Sequence, residues 1–393
     1  MNYKEYRDKI RDRSNITFVL KLTNMCDNNC KYCYHKHLMP DPSSSILDYD
    51  LYEEALHKVI PYYKSVALHH HGGEPLMLTA EQLGKYFEIA TRVKKQYNTS
   101  VDLCLQSNLL HLTKEKIDVI NKYNVGFSTS YDSKAFNFNR EGKQSDWKEK
   151  YDFFKQYQIE NNRGYDIGFI NIITKKTIEN KDEVIKDIEN NDSLVMSNFM
   201  TNFCVRNDDV IVEPGKYYEF IKERFEYQVK NKKLLTPDTY RYLQVLYDKD
   251  MGDCHCSHCL NSIHAMTPTG ILKGCDMRNE DEFLYCNIKD LDNIKDLFKQ
   301  EKYLKIEKAT YDVYDRCKDC PYVDYCNAGC YNRSMPFYSD NGKYNLSKDA
   351  YCYDLKKLFK YFIDYFKCYD NNVYKLPENV KKSLRLRKDD MDV

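Results

Sequence analysis

Cysteine is the residue type best placed to do chemistry in this chain, because its 16 copies are unevenly distributed. Three lie within eight residues, at Cys26, Cys30 and Cys33, and ten more fall between Cys254 and Cys352. The first residues contain no apolar stretch of the kind found in secretion signals, so we expect a reducing compartment. Thiols grouped this tightly in such a compartment are metal ligands more often than disulfides. Both cysteine-rich regions are therefore predicted to bind metal.

The first group of cysteines has the spacing Cys-x3-Cys-x2-Cys. Three thiolates on one loop can hold three irons of a cubane cluster and leave the fourth iron open to an external ligand. A zinc ion is the alternative, with His35 or His37 as the fourth ligand. The spacing favours the cluster over zinc.

The elements that position this loop form an alternating pattern of short β-rich runs and longer amphipathic segments, from residue 16 to about 200. The predicted strands are Ile16–Leu22, Val66–His70, Val101–Gln106, Val125–Thr129, Asp166–Ile173 and Leu194–Met200. The predicted helices are Tyr49–Ile60, Ala80–Lys95, Lys114–Lys122, Asp146–Glu160 and Glu179–Glu189. Such alternation predicts βαβ units around a parallel sheet. Six units make a full or partial α/β barrel, and an open doubly wound sheet is the alternative.

Polar segments follow four of the predicted strands directly. The cysteine loop follows the first strand, Gly72-Gly73-Glu74-Pro75 follows the second, Ser107-Asn108 follows the third and Ser128 lies at the end of the fourth. The carboxyl ends of parallel strands lie at one edge of the sheet, where reactive residues of α/β folds are found. We therefore expect these four loops to converge on one rim.

Cys-x3-Cys-x-Tyr-Cys after the first strand, followed by Gly-Gly-Glu-Pro after the second, resembles the radical S-adenosylmethionine (SAM) superfamily. In that family the three cysteines hold a [4Fe–4S] cluster, and its open iron binds the amino and carboxylate groups of SAM. The resemblance implies an α/β fold with a partial (β/α)6 barrel. It also implies SAM contacts by Tyr32, Gly72, Gly73, Glu74, Asn108, Ser128 and Arg140.

The resemblance gives several of these positions a specific role. The Gly-Gly-Glu-Pro loop contacts the SAM amino group, and the backbone at Tyr32 contacts adenine. Ser128 lies near the ribose and carboxylate of SAM, and Arg140 binds the carboxylate. Two motifs depart from the family: Ser-x-Asp-Gly is replaced by residues 128–131 (Ser-Thr-Ser-Tyr), and Gln-Thr-Asn-Gly by residues 106–109 (Gln-Ser-Asn-Leu). Because both lie near the substrate side of the barrel, they leave the substrate open.

The second cysteine region resembles the SPASM extension of radical SAM enzymes, with Cys-x10-Gly-x4-Cys and then Cys-x2-Cys-x5-Cys-x3-Cys and a final Cys. The resemblance implies two further [4Fe–4S] clusters, hence three in all. One takes Cys259, Cys275, Cys330 and an upstream cysteine, either Cys254 or Cys256, with Cys254 favoured. The other takes Cys317, Cys320, Cys326 and Cys352. Zinc is the alternative here as well, because Cys254-His-Cys-Ser-His-Cys259 is a dense run of zinc-type ligands.

Asp276 directly follows Cys275 and is the candidate catalytic residue. Beside a cluster, its carboxylate could accept a proton as a substrate radical is oxidised, the role this Asp has in the related anaerobic sulfatase-maturating enzymes. A solvated turn carboxylate is the other interpretation. The resemblance implies a peptide or protein maturase that abstracts hydrogen and forms a thioether or carbon–carbon crosslink in a ribosomal peptide. The alternatives are oxidation of a sulfatase Ser or Cys to formylglycine and, in another class, a non-catalytic zinc protein.

Composition bounds the remaining expectations. Lys+Arg and Asp+Glu are both 60, and a chain that wraps nucleic acid would carry a basic excess. Mean hydropathy is −0.74, so we expect a cytoplasmic protein with no membrane partner. The expected partners are a peptide or protein substrate and a flavodoxin or ferredoxin as reductant. Since few residues precede the first strand, we expect a substrate leader to be held by a separate leader-recognition protein or by the barrel itself. The predicted domains are a barrel at 1–235, a SPASM domain at 236–370 and a charged tail at 371–393.

Overall fold

The computed structural model describes residues 1–35, 42, 44–141, 143–164, 167–191, 195–199, 209–248, 259–278, 280–330 and 352–384. The first six strands are β1 Asn15–Thr23, β2 Ser65–Gly72, β3 Ser100–Ser107, β4 Gly126–Ser130, β5 Gly168–Ile173 and β6 Val195–Phe199. The helices around them are α1 Tyr3–Arg11, α2 Tyr49–Val59, α3 Ala80–Lys94, α4 Lys114–Lys122, α5 Phe136–Asn139, α6 Gln144–Glu160, α7 Lys175–Glu179, α8 Lys181–Glu189, α9 Lys216–Lys230 and α10 Pro237–Asp248.

A second group of elements follows in the cysteine-rich part of the chain. These are α11 Cys259–Ser262, β7 Ile263–Met266, β8 Ile271–Lys273, β9 Leu284–Asn287, α12 Glu301–Cys317, α13 Val323–Cys326, α14 Cys352–Lys367 and α15 Glu378–Ser383. The nine described strands belong to one sheet, in the order β6-β5-β4-β3-β2-β1-β7-β8-β9. Strands β1 to β6 are parallel, β7 pairs in parallel with the free side of β1, and β8 and β9 complete an antiparallel meander.

The strand order confirms the predicted partial barrel over the doubly wound sheet. Six parallel strands lie in sequential order, whereas a doubly wound sheet reverses its order at a switch point. All six predicted strands are present, and α4 matches its predicted bounds. The segment predicted as one helix over Glu179–Glu189 is divided between α7 and α8, and Asn180 lies between them.

Side chains on each strand alternate between the helix layer and the inside of the curved sheet. On β1, Phe18, Leu20 and Leu22 are fully buried against the helices. His70 of β2 is on the same side, where its ring nitrogens bond to the Tyr52 hydroxyl at 2.8 Å and the Cys104 carbonyl at 2.9 Å. Their neighbours, including Lys21 and His71, face the inside, which is therefore polar. We call this inner space the lumen.

The ends of the chain also pack against the body. The Arg11 guanidinium of α1 donates two hydrogen bonds, at 2.6 and 2.7 Å, to the buried carboxylate of Glu307 on α12. Near the other end, Val373, Leu376 and Val380 are buried in the main core. Residues 373–384 therefore pack against the body of the protein, and the division into a barrel at 1–235, a SPASM domain at 236–370 and a charged tail at 371–393 remains a prediction. No helix in the described ranges is long and apolar enough to cross a bilayer.

Candidate active site

The loop after β1 carries Cys26, Cys30 and Cys33, all partly buried. Two backbone hydrogen bonds shape it: Cys33 N–H donates to the Cys30 carbonyl at 3.1 Å, and Lys31 N–H donates to the Asn139 carbonyl at 3.0 Å. Burial, together with the nearby charges of Glu74 and the other two thiols, raises the pKa of the Cys26 thiol to about 12. A metal would have to displace that proton, and the three-thiol donor set suits an iron–sulfur cluster.

Gly72 and Gly73 allow the loop after β2 to lie directly against the cysteine loop. Gly73 N–H donates to the Thr23 carbonyl and Glu74 N–H to the Met25 carbonyl, both at 2.7 Å. A Cβ on Gly72 would lie 2.2 Å from the Thr23 oxygen, and one on Gly73 would lie 2.2 Å from the Met25 oxygen. Gly72 also has φ +138°, which side chains rarely adopt. The two glycines are therefore required by backbone contact with the residues preceding Cys26.

The Glu74 carboxylate joins this loop to the loop after β3. It is buried and accepts hydrogen bonds from Ser107 Oγ at 2.7 Å, Asn108 N–H at 2.7 Å and Leu76 N–H at 2.8 Å. Burial raises the pKa of Glu74, and these hydrogen bonds oppose part of that rise. The Glu74 side chain therefore bonds within the loops. The Asn108 side chain does so too, since its Oδ1 accepts a hydrogen bond from Leu110 N–H at 3.0 Å. Both therefore shape the rim.

A buried ion pair lies beneath the cysteine loop. Asp132 Oδ2 accepts hydrogen bonds from the Tyr32 hydroxyl at 2.7 Å and from Arg140 Nε at 2.8 Å. Asp132 Oδ1 accepts from Ile172 N–H of β5 at 3.2 Å. Burial by itself lowers the pKa of Arg140, but the Asp132 carboxylate, together with the charges of Tyr32 and Cys30, outweighs that effect and raises the pKa. One carboxylate therefore joins the residue before Cys33, the predicted SAM-binding arginine and the fifth strand.

The residues that depart from the two family motifs divide between the two sides of the sheet. Leu109 keeps a left-handed backbone, φ 68°, at the position of the family's glycine, and its side chain is buried in the helix-side core. Tyr131 is also on the helix side, where it packs on Trp147. Ser130 faces the lumen and accepts a hydrogen bond from Gln106 Nε2 at 3.2 Å, while Ser128 donates to Gln106 Oε1. Of these substitutions, Ser130 is the one that changes the lumen surface.

Asp276 lies in the lumen within a cluster of cationic and aromatic side chains. Lys21 Nζ is 3.0 Å from Oδ1, His71 Nε2 is 3.3 Å from Oδ2, and the Tyr34 hydroxyl donates to Oδ2. Burial alone would raise the pKa of Asp276, but Lys21, His71 and Lys273 hold it well below its usual range. Asp276 is therefore ionised.

The segment that carries Asp276 lies close to β5 and to the first cysteine loop. Met277 packs with Cys30 and Phe138 against a small buried group that consists of Tyr32, Ile172 and Val210. Tyr34 is close enough to Cys33 and Cys275 for both thiols to raise its pKa, after the larger effects of burial and Asp276. The second cysteine region therefore approaches the first inside the barrel.

The remaining predicted ligands fall into two groups. Cys317, Cys320, Cys326 and Cys352 line a single cavity together with residues that include Tyr322, Leu355 and Phe359. Burial and the charge of the nearby Cys330 raise the pKa of Cys275. Burial and the charges of Cys275 and Cys259 likewise raise the pKa of Tyr285. Cys254 and Cys256 lie outside the described residues. Within the described ranges no three His, Cys, Asp or Glu side chains have the spacing of a single-ion site.

Five residues that the sequence analysis did not single out belong to this site: Lys21, Tyr34, His71, Asp132 and Lys273. Lys21 lies on the inner face of β1 and His71 on the inner face of β2. Their positions on these strands indicate in the sequence that each has a buried partner. A charged or polar residue on a strand that is otherwise apolar needs a buried partner. Tyr34 and Asp132 adjoin predicted site segments and could have been included with them.

The comparisons with known proteins agree with this geometry. The model of the radical SAM superfamily matches residues 20–189. A cysteine-type anaerobic sulfatase-maturating enzyme of Clostridium perfringens is 24% identical over 368 residues, which cover 86% of this chain and 93% of the relative. The radical SAM cyclopropyl synthase TigE of Paramaledivibacter caminithermalis is 23% identical over 389 residues, 88% of this chain and 75% of the relative.

Solved structures share the fold. Native anSMEcpe with bound AdoMet superposes with a TM-score of 0.74 at 19% identity, covering 91% of this chain and 100% of that chain. SuiB of Streptococcus suis bound to its precursor peptide SuiA gives a TM-score of 0.59 at 13% identity, covering 84% and 75%. Members of the radical SAM superfamily use a [4Fe–4S] cluster and SAM. Residues 20–189 of this chain therefore form a radical SAM domain.

Proposed function

We propose that this enzyme modifies a peptide by abstracting hydrogen from one of its carbons, and that the product is a crosslink such as a thioether or carbon–carbon bond. The observation that carries the proposal is the lumen itself. Met277, next to Asp276, packs against the same buried group as Cys30, so a peptide side chain in the lumen would lie near both the first cysteine loop and Asp276. The bound cluster and SAM supply the electron and the radical for hydrogen abstraction.

The chain's own residues hold these groups. Cys26, Cys30 and Cys33 would ligate the [4Fe–4S] cluster and leave one iron for SAM. Backbone atoms of Gly72 and Gly73 would meet the SAM amino group. Arg140, already oriented by Asp132, would meet the SAM carboxylate with the guanidinium nitrogens not bonded to Asp132. Ser128 would meet the ribose, and the Tyr32 backbone the adenine.

Two auxiliary [4Fe–4S] clusters belong to the same proposal. The four thiols at one cavity, Cys317, Cys320, Cys326 and Cys352, support the first. The interactions that join Cys259, Cys275 and Cys330 support the second, with Cys254 or Cys256 as its fourth ligand. These clusters would accept the electron left on the substrate radical. The proposed domains of the chain are a barrel at 1–235 and a SPASM domain at 236–370.

Asp276 is the proposed proton acceptor. Its carboxylate faces the lumen and is held on one side by Lys21 and on the other by His71 and Tyr34. Oxidation of a carbon radical next to a heteroatom releases a proton, and an ionised carboxylate at contact distance is a suitable acceptor. Lys21 and His71 are positioning residues, because they hold the carboxylate ionised and fix its orientation.

A peptide substrate is supported by the relatives, which are maturases and synthases that act on peptides or proteins. A flavodoxin or ferredoxin is the proposed electron donor. A separate leader-recognition protein is the proposed partner for a substrate that carries a leader.

Formylglycine formation in a sulfatase is the second candidate, because the sulfatase-maturating relative matches over most of both chains. Leu109 does not oppose it, since that residue keeps the loop's left-handed backbone and points away from the lumen. Ser130 does oppose it, because a hydroxyl replaces a carboxylate on the lumen surface. Incubation with a sulfatase peptide and an aldehyde-reactive probe separates the two candidates: labelling indicates formylglycine, whereas loss of hydrogen without an aldehyde indicates a crosslink.

Iron and acid-labile sulfide per chain, measured with zinc after anaerobic reconstitution, test the cofactor assignment. Three four-iron clusters predict ~12 Fe with matching sulfide. The Cys30→Ala variant should lose ~4 Fe and all 5′-deoxyadenosine formation, while Cys368→Ala, an exposed thiol outside every proposed ligand set, should behave like the unmodified chain. Zinc without sulfide, or 5′-deoxyadenosine from Cys30→Ala, would refute the proposal.

A further inference from the structure

The Tyr285 hydroxyl is a buried polar group without a hydrogen-bond partner among the described residues. Tyr285 lies on β9 and is 6% exposed, and no donor or acceptor in the described part of the chain reaches its oxygen. An unsatisfied buried hydroxyl costs free energy, so native structures rarely keep one without a ligand or water to receive it. We therefore expect a ligand or bound group to receive this hydroxyl.

The backbone around Tyr285 directs the side chain toward the Cys275 loop. On β8 and β9, Leu272 pairs with Cys286 but Lys273 pairs with Leu284, so Tyr285 is the extra residue of a β-bulge. A bulge bends its strand and changes the direction of the side chain it carries. Here the ring is packed edge-on against Tyr303 at 5.7 Å, which fixes its orientation.

Gly274 provides the space that the hydroxyl occupies. A Cβ built on Gly274 would lie 1.9 Å from the Tyr285 oxygen and 2.5 Å from the ring carbon that bears it. No side chain fits at this position, so the residue before Cys275 has to be glycine for the hydroxyl to reach the backbone of this loop. The hydroxyl is also close enough to Cys275 and Cys259 for the charge of their thiolates to act on it.

We propose that the Tyr285 hydroxyl donates a hydrogen bond to a sulfur of the auxiliary iron–sulfur cluster held by Cys259, Cys275 and Cys330. This inference rests on the proposed function, because it requires that cluster. The hydroxyl hydrogen would point at the sulfur, and this hydrogen bond would strengthen if the cluster gained negative charge on reduction. Since hydrogen bonds to the sulfurs help to set cluster potentials, Tyr285 raises the reduction potential of this cluster. It makes the cluster a better acceptor for the substrate's electron.

The test is a redox titration of the reconstituted full-length protein, followed by electron paramagnetic resonance. The Tyr285→Phe variant keeps the ring and removes only the hydroxyl. We expect the reduction equilibrium of one cluster to fall about tenfold, a shift of about 59 mV for a one-electron couple, and the other two to stay unchanged. Tyr303→Phe is the matched control, because its hydroxyl already bonds to Asn261 and Glu307. Unchanged potentials in Tyr285→Phe at full iron content would overturn the inference.

A second measurement covers the case in which Tyr285→Phe fails to retain iron. In the unmodified protein, electron–nuclear double resonance on the reduced auxiliary cluster should detect a proton that disappears after exchange into D2O. If no exchangeable proton couples to that cluster, the inference is overturned whatever the variant does. Cys259→Ala separates this failure from a failure of the proposed function. If it keeps the iron content and spectrum of the unmodified chain, no cluster is held there and the proposed function itself is wrong.

Discussion

The buried carboxylate of Asp132 offers a sharp test of how the SAM side of the barrel is built. Its two oxygens accept from Tyr32, Arg140 and Ile172 N–H, and neither Asp132 nor Arg140 has appreciable solvent exposure. The Asp132→Asn variant keeps the size of the side chain and an oxygen for Ile172 N–H. It leaves the Arg140 guanidinium buried without a counter-charge.

The expected cost follows from that orphaned charge. Removing one partner of a buried ion pair destabilises a protein by about 3–5 kcal/mol. At about 2–4 °C per kcal/mol for domains near this size, Asp132→Asn should lower the melting temperature by roughly 10 °C. Anaerobic thermal scans of the chain, with circular dichroism as a second probe, measure this change.

A double variant identifies the cause. Asp132→Asn combined with Arg140→Met removes the orphaned cation, so it should melt at a higher temperature than Asp132→Asn alone. A double variant that is less stable than Asp132→Asn would refute the reasoning, as would a single variant whose melting temperature matches that of the unmodified chain. In either case the pair would not be the strong buried interaction that its geometry indicates.

Three further variants test other parts of the site. Gly73→Ala should abolish 5′-deoxyadenosine formation in a SAM-cleavage assay while the chain stays folded, because its Cβ would lie 2.2 Å from the Met25 oxygen and displace the cysteine loop; normal cleavage would contradict this. Asp276→Asn should still cleave SAM without coupling but yield less modified peptide by mass spectrometry, and unchanged yield would remove Asp276 from the mechanism. Burial lowers the pKa of His70 from 6.5 to about 4. The unfolded chain therefore binds the proton first, and the stability that His70 contributes is lost as pH falls from 6.5 to 4. The melting temperature of His70→Gln should fall less over that range than that of the unmodified chain, and an equal fall would show that His70 does not contribute.

Much of the barrel could be predicted from the sequence because its local signals agree. All six strands are β-rich runs, and the side chains of Thr79 and Thr113 cap helices α3 and α4, each of which has an acidic residue in its first turn. The rim loops followed from strand direction alone. Cysteine spacing and the Gly-Gly-Glu-Pro loop then identified the chemistry.

The missed residues depend on contacts between distant parts of the chain. Lys21 and His71 contact Asp276, which lies about 200 or more residues away in the sequence. No local sequence pattern indicates that contact. The burial of the end of the chain, in contrast, is indicated by a local sequence pattern. Val373, Leu376, Val380 and Leu384 follow a three-or-four-residue spacing that indicates a buried face, but the surrounding charges obscured it.

The pairing of β7 with β1 also affects how the chain is made. Thr17 of β1 pairs with Ile263 of β7, so one edge of the first strand stays unpaired until about 250 more residues have been synthesised. At about 5–20 residues per second, that edge is exposed on the ribosome for roughly 10 to 50 s. An unpaired apolar strand edge invites pairing with other chains. Fragments that end before β7 should therefore aggregate, and slow translation of the second half should lower the yield of correctly assembled enzyme.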